Sequence, residues 1–321
     1  MKKATVCFFI LLLFAGCSSA GSRQYRGVSF FTKDIDLSVP LEKRIQTAQA
    51  DVISWLISFG LSDNYRPYMP QAEEKRLFAG YAQLLPDKFR QTMKEKVIAI
   101  FFIENFEGGG MTMHDFDRNG NMYMVLFFNP EILRRTLSEW INLRENSYFE
   151  DAPGVTVAAE CSGNYYALLH TLTHEASHVY DFYHHATPFT EPELQSKGAP
   201  LKTDFTDTVW EAHSRPLEDY DFPHRGELFA WGLGPVQSKS LAMDIYRSLL
   251  KTPFASLYGA QNWAEDFAET FTWFYLERYL GVTYRFSVKK NDGINEETQL
   301  FEPVLNPLLK ARYNSIKAIC D

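Results

Sequence analysis

His174, Glu175 and His178 stand in the order H-E-x-x-H within the run from Asn164 to His185, NYYALLHTLTHEASHVYDFYHH, which holds five of the chain's eight histidines. Imidazoles four residues apart fall on one face of a helix, so both can reach a single metal ion. The carboxylate of Glu175, about a hundred degrees round, then reaches a water beside that ion. Such a set performs hydrolysis: the metal activates water and the glutamate moves its proton.

A helix has to present these groups. Leu168, Leu169, Leu172, Ala176 and Val179 supply an apolar stripe for its burial, and Ser162 is a candidate N-cap. A catalytic zinc also takes a third protein ligand, for which there are two candidates. One is His184, six residues after His178; but Asp181 stands where a sharp turn-back of the helix calls for glycine, and a helix continuing through Tyr183 carries His184 off the metal face. The other is Glu265, in a second stretch, ASLYGAQNWAEDFAETFTWFYLERYL, which reads as an amphipathic helix with Glu265 and Glu269 on one face.

The run Tyr258-Gly259-x-x-Asn262-x-Ala264-Glu265-x-Phe267-Ala268-Glu269-x-Phe271, paired with His174-Glu175-x-x-His178, resembles the zinc peptidase domain of anthrax lethal factor and its relatives, a branch of the gluzincins. The resemblance spans roughly residues 95 to 285, with the two motifs as its specific part. It implies an α+β, zincin-like fold: a small twisted mixed sheet over the H-E-x-x-H helix, with a predominantly helical C-terminal lobe. It also implies one Zn²⁺ per chain on His174, His178 and Glu265, with Glu175 as general base, Tyr258 stabilising the reacting oxygen, Glu269 supporting the site, and a peptide or protein substrate. Carboxylates that orient metal-bound imidazoles would be sought at Glu269, then Glu160, then Asp181. His170, one turn before His174, either borders the cleft or, as the preferred reading, is packed or solvated. The interval between the motifs is longer than the resemblance leads one to expect, so the segment from His185 to Leu257 is expected to shape the cleft.

Elsewhere, Val97 to Ile103 (VIAIFFI) reads as a buried strand, released by Gly108 to Gly110. Met111 to Phe116 and Asn121 to Phe128 flank Asn119-Gly120 as a hairpin, the first of them a candidate edge strand facing the cleft. Asp115, Asp117, Asn119 and Gly120 mimic the start of a calcium loop, but Leu126 stands where a bidentate glutamate is needed, so the run reads as a turn. Asn129 and Pro130 open a helix that buries Ile132, Leu133, Leu137, Trp140 and Ile141. Val155 to Glu160 is expected as a strand of the sheet over the metal helix. Leu41 to Phe59 reads as a helix closed by Gly60, and Glu73 to Val97 as one or two helices broken at Pro86. The acid cluster Glu218, Asp219, Asp221 reads as solvated surface.

Lys2 and Lys3, the apolar run from Val6 to Phe14, and Ala15-Gly16-Cys17 look like a bacterial lipoprotein signal with lipid attachment at Cys17. The expected order is therefore signal (1–17), tether (18–40), N-terminal helical scaffold (41–94) and metallopeptidase domain (95–321). It describes an exported chain anchored to a membrane, the outer one where the cell has it. In that oxidising setting Cys161 and Cys320 could form a disulfide that fastens the last helix. Forty acidic residues against 32 basic ones give a formal charge of −8, which argues against nucleic acid as a partner. Two other functions fit the sequence: a surface binding or adhesion lipoprotein with a structural or vestigial zinc site, and a metal-dependent peptidoglycan amidase.

Overall fold

The computed structural model of the chain describes Phe31 and residues 36–59, 61–190, 201–291 and 293–320. The signal, Cys17, most of the tether and Gly60 lie outside these residues. In chain order the main elements are α1 (Ala50–Ser58), β1 (Arg66–Tyr68), α2 (Ala72–Gln83), α3 (Asp87–Lys96), β2 (Val97–Glu104), β3 (Gly110–Phe116) and β4 (Met122–Phe128). There follow α4 (Leu137–Ser147), β5 (Val155–Cys161), α5 (Ala167–His184), α6 (Ala242–Leu249), α7 (Trp263–Leu280), β6 (Tyr284–Asn291), β7 (Glu296–Phe301) and α8 (Pro307–Cys320). The class is α+β, as expected. The chain divides into two compact units, one ending at Arg134 but taking in Thr171–Leu201, the other made of Arg135–His170 and everything from Lys202.

The first unit is built on a sheet in the order β1-β2-β4-β3. Strands β2 and β4 are parallel, while β1 and β3 run antiparallel to their neighbours. The unbroken apolar run of β2 is explained by cover on both faces. Phe101, Ile103, Val125 and Phe127 meet Val52 and Leu56 of α1 on one face. On the other, Phe102 and Phe128 meet Phe78 of α2, with ring centroids 6.4 and 6.2 Å away. Burying each of these rings contributes about 1.5–3 kcal/mol. Strand β3 is at the edge, as the hairpin reading predicted, and its turn is closed by Asp117, whose carboxylate accepts from the backbone of Asn119 and Asn121 and the side chain of Asn121. Asp117 is thereby committed to the turn and not to a cation.

One expectation changes here. The helical period from Leu41 is realised only from Ala50, because Arg44 and Gln46 bond to Ile100 and draw this backbone onto β2. The chain leading in is also held to the body: Phe31 packs on the rings of Trp55, Phe101 and Phe127. Arg44, 3% exposed, donates to the carbonyls of Leu37, Val39, Met93, Lys94 and Val97. Its charge thus sits on carbonyls that the end of α3 leaves over, a placement the helix dipole favours. The stretch 41–94, expected as a scaffold, is joined to the sheet by this anchor and by β1.

Asp115 of β3 carries one prediction. Its Oδ2 is buried and finds no hydrogen-bond partner among the described residues, and burial pushes the carboxyl up to about 6 against the opposing bond from Phe116 N–H. A raised carboxyl binds its proton more tightly in the folded state, so its contribution is intact at acid pH and is lost as pH climbs from about 4 to about 6. Asp115→Asn should therefore raise the melting temperature at pH 7–8 and leave it nearly unchanged at pH 4. Thermal melts across that range check it; equal effects at both ends would remove Asp115 as the source.

The second unit holds an antiparallel sheet in the order β7-β6-β5. Strand β5 was expected in the sheet over the metal helix; it pairs instead with β6, and its outer edge is occupied by polar side chains of α4. Ser138 Oγ both donates to the Cys161 carbonyl and accepts from its N–H, Asn142 accepts from Ala159 N–H, and Asn146 donates to the Val157 carbonyl. An edge satisfied in this way has no need of a further strand. Helix α4 itself starts at a capping box of Thr136 and Glu139, after a 3-10 turn capped by Asn129. Helix α7 is not amphipathic as expected: Ala264 to Leu276 are buried all round, and arginines of other helices meet two of its carboxylates, Asp266 and Glu269. Asp266, for example, accepts from Arg312 of α8 at 2.9 and 2.7 Å and from the indole of Trp210 at 2.7 Å. From Leu201 to Leu241 the chain carries only short 3-10 turns and strands of two or three residues.

Candidate metal centre

Helix α5 presents the histidines as the spacing predicts. Leu168, Leu169, Leu172, Ala176 and Val179 are at most 1% exposed and seat the helix. Ser162 does not cap it: its hydroxyl accepts from Thr283 N–H and donates to the Gly281 carbonyl, well before the helix begins at Ala167. The Nε2 atoms of His174 and His178 lie 3.2 Å apart. Two ligands at about 2.0–2.1 Å from a tetrahedral zinc are separated by about 3.3–3.4 Å, so the two nitrogens already stand at nearly the spacing of one metal's ligands.

The third candidate donor is Glu265. Ligand atoms of His174, His178 and Glu265 all lie within 4.8 Å of one another, and all three residues are buried, so the group could hold a metal ion. Its position follows from the local sequence. Asn262 caps α7 by accepting from the N–H groups of Ala264 and Glu265, which fixes Glu265 in the first turn. His184 takes no part: α5 runs on through it, its Nε2 lies 3.1 Å from Thr92 Oγ1, and its ring packs 4.3 Å from that of Tyr180.

Glu175 is 3% exposed, and its carboxylate lies against β3, where Thr112 Oγ1 donates to Oε2 at 2.7 Å. Gly110 is needed at the same place, since a Cβ there would stand 2.9 Å from Glu175 Oε1. Neither Gly110 nor Thr112 was read as part of the site. The triple glycine was the available signal, and its last member serves close approach rather than chain release.

Of the three supporting carboxylates, Glu160 is on the exposed side of β5, paired with Arg285 at 2.7 Å, and is withdrawn from the site. Asp181 is buried and accepts from the N–H and hydroxyl of Thr187, closing the turn after α5; burial raises it to about 6, with the Thr187 bonds and His178 opposing. Glu269, fully buried, accepts from Arg144 at 3.0 and 2.9 Å, from Ser256 at 2.6 Å and from the Trp273 indole at 3.2 Å, with His170 Nε2 3.3 Å away. Burial opposes the charge on Arg144, but Glu269 and Glu145 outweigh it and hold the guanidinium well above its usual value. His170 is thus packed, next to Glu269 and the ring of Trp273.

Tyr258 is half-buried on the loop before α7. Gly259 follows because the loop presses on that helix: a Cβ there would lie 3.2 Å from Glu269 Cβ and 3.6 Å from Asp266 Cα. His213, passed over in the sequence, is close enough to feel the charge of Glu265; burial lowers its imidazole to about 4 despite that charge, so it is neutral at pH 7. Cys161 and Cys320 are thiols, and the expected disulfide is not formed. Burial pushes the Cys161 thiol up to about 12. The acid cluster is exposed, with Asp221 paired to Arg225 at 2.7 Å.

Comparison with family models, with curated proteins and with solved structures finds no match.

Proposed function

We propose that the chain is an exported, zinc-dependent peptidase that hydrolyses peptide bonds in an unfolded or extended substrate. The observation that carries this reading is the buried donor set of His174, His178 and Glu265 with the carboxylate of Glu175 on the same helix turn. Two imidazoles and one carboxylate are the donors a catalytic zinc takes, and they leave a position for water. Zinc held there supplies Lewis acidity, polarising a carbonyl and bringing the pKa of water toward neutrality.

The chain's own groups carry the proton and the charge. Glu175, steadied by Thr112, takes a proton from the attacking water and passes it to the leaving amine. Tyr258 donates a hydrogen bond to the oxygen on which negative charge develops. Strand β3, next to Glu175 and last in its sheet among the described residues, is the edge along which an extended peptide would align. The lipid anchor at Cys17 would keep this chemistry at a membrane surface.

The reading is tested by incubating the zinc-loaded chain with an unfolded protein and, separately, with purified peptidoglycan sacculi. Cleavage of the protein, stopped by a chelator and restored by zinc, is expected; cleavage of sacculi alone would transfer the site to an amidase, and cleavage of neither would end the enzymatic reading.

A further inference from the structure

We infer that Ser256 and Arg144 position Tyr258, with Glu269 as the group through which both act; the inference rests on the proposed part of Tyr258 in the reaction. Ser256, fully buried, donates its hydroxyl hydrogen to Glu269 Oε2 at 2.6 Å and accepts the Gly259 N–H at 3.0 Å. One hydroxyl thus ties the backbone on both sides of Tyr258 to a single carboxylate on α7. The close approach of Gly259 to Glu269 and Asp266 seals the same point sterically, and the cap at Asn262 fixes the start of α7.

Arg144 reaches Glu269 from α4, and its Cζ lies 5.9 Å from the centroid of the Tyr258 ring. A guanidinium in that position attracts the ring face while neutralising the carboxylate that holds the loop. It is itself held: Nε donates to Glu145 at 3.2 Å, and Glu145 accepts the hydroxyls of Tyr246 at 2.8 Å and Tyr284 at 3.0 Å. Arg144, Glu145, Ser256, Glu269, Tyr246 and Tyr284 are all at most 3% exposed. Burial keeps water from competing for these bonds, and a donor aimed at a developing oxyanion is effective only when it is fixed before the reaction begins.

Ser256 and Arg144 are positioning residues, since neither is placed to touch substrate. Their action through Tyr258 distinguishes this role from support of the fold at large. The test is a double-mutant cycle on the zinc-loaded full chain, with kcat, KM and zinc content measured on one unfolded-protein substrate. Ser256→Ala is expected to lower kcat about ten-fold with KM and zinc content little changed, because it removes an interaction that matters only in the transition state. In the Tyr258→Phe background the same change should have no further effect on kcat.

An equal fold-loss in both backgrounds would overturn the inference. Arg144→Lys keeps the charge and loses the planar fork; it should follow the same pattern and provides the cycle if Ser256→Ala does not fold. Tyr258→Phe with wild-type kcat would remove the role of Tyr258 and the inference with it, leaving the zinc peptidase reading in place. A wild type that cleaves no peptide would remove both.

Discussion

Glu175→Gln is expected to abolish measurable turnover while the protein keeps its zinc. Glutamine matches glutamate in shape, so it can still accept the hydrogen bond from Thr112 and fill the space beside Gly110. It cannot take a proton from water at neutral pH. General-base catalysis contributes about 10²–10⁴-fold, which is about 3–5 kcal/mol of barrier, and nothing else beside the histidines replaces it in the proposed mechanism. Because Glu175 is not among the three clustered donors, metal content should stay at the wild-type level. Steady-state kcat with zinc measured on the same sample separates the two; undiminished hydrolysis would remove Glu175 as the base.

The second large effect is on the metal itself. Glu265→Ala removes the only charged donor of the set and leaves two neutral imidazoles, so zinc affinity should fall by more than the about 10–100-fold typical of losing an outer partner. His184→Ala should leave affinity unchanged, since His184 is turned toward Thr92 and Tyr180. The fold should survive Glu265→Ala: Asn262 still caps α7, and Asp266, Phe267 and Ala268 still bury its first turns. Neither substitution touches the partners of Glu269.

The parts legible in the sequence were those governed by local period. The i, i+4 spacing of His174 and His178 placed both imidazoles, the run VIAIFFI gave the central strand, and Pro86 separated α2 from α3. The motif from Tyr258 to Glu269 was legible as a pattern, and its residues prove to have local reasons: Gly259 for close approach, Asn262 for the cap, Ala268 for a fully buried contact. The features that escaped were set by partners far along the chain. Strand β5 reads the same whether it joins one sheet or another; the choice is made by its register with β6 and by Ser138, Asn142 and Asn146 on α4. Helix α7 was read as amphipathic, with Glu265 and Glu269 on one face, yet it is buried all round from Ala264 to Leu276 because Asp266 and Glu269 are met by Arg312 and Arg144, whose identity as partners no spacing reveals. Arg44 is the same lesson in reverse, a buried charge met by backbone carbonyls far along the chain.

The central claim is that His174, His178 and Glu265 together hold one zinc ion. The measurement that tests it most directly is zinc stoichiometry by plasma mass spectrometry on wild type, Glu265→Ala and His184→Ala, purified under identical conditions and dialysed against the same weak chelator. One zinc per chain in wild type and in His184→Ala, and none in Glu265→Ala, is the predicted result; zinc retained by Glu265→Ala and lost from His184→Ala would contradict it.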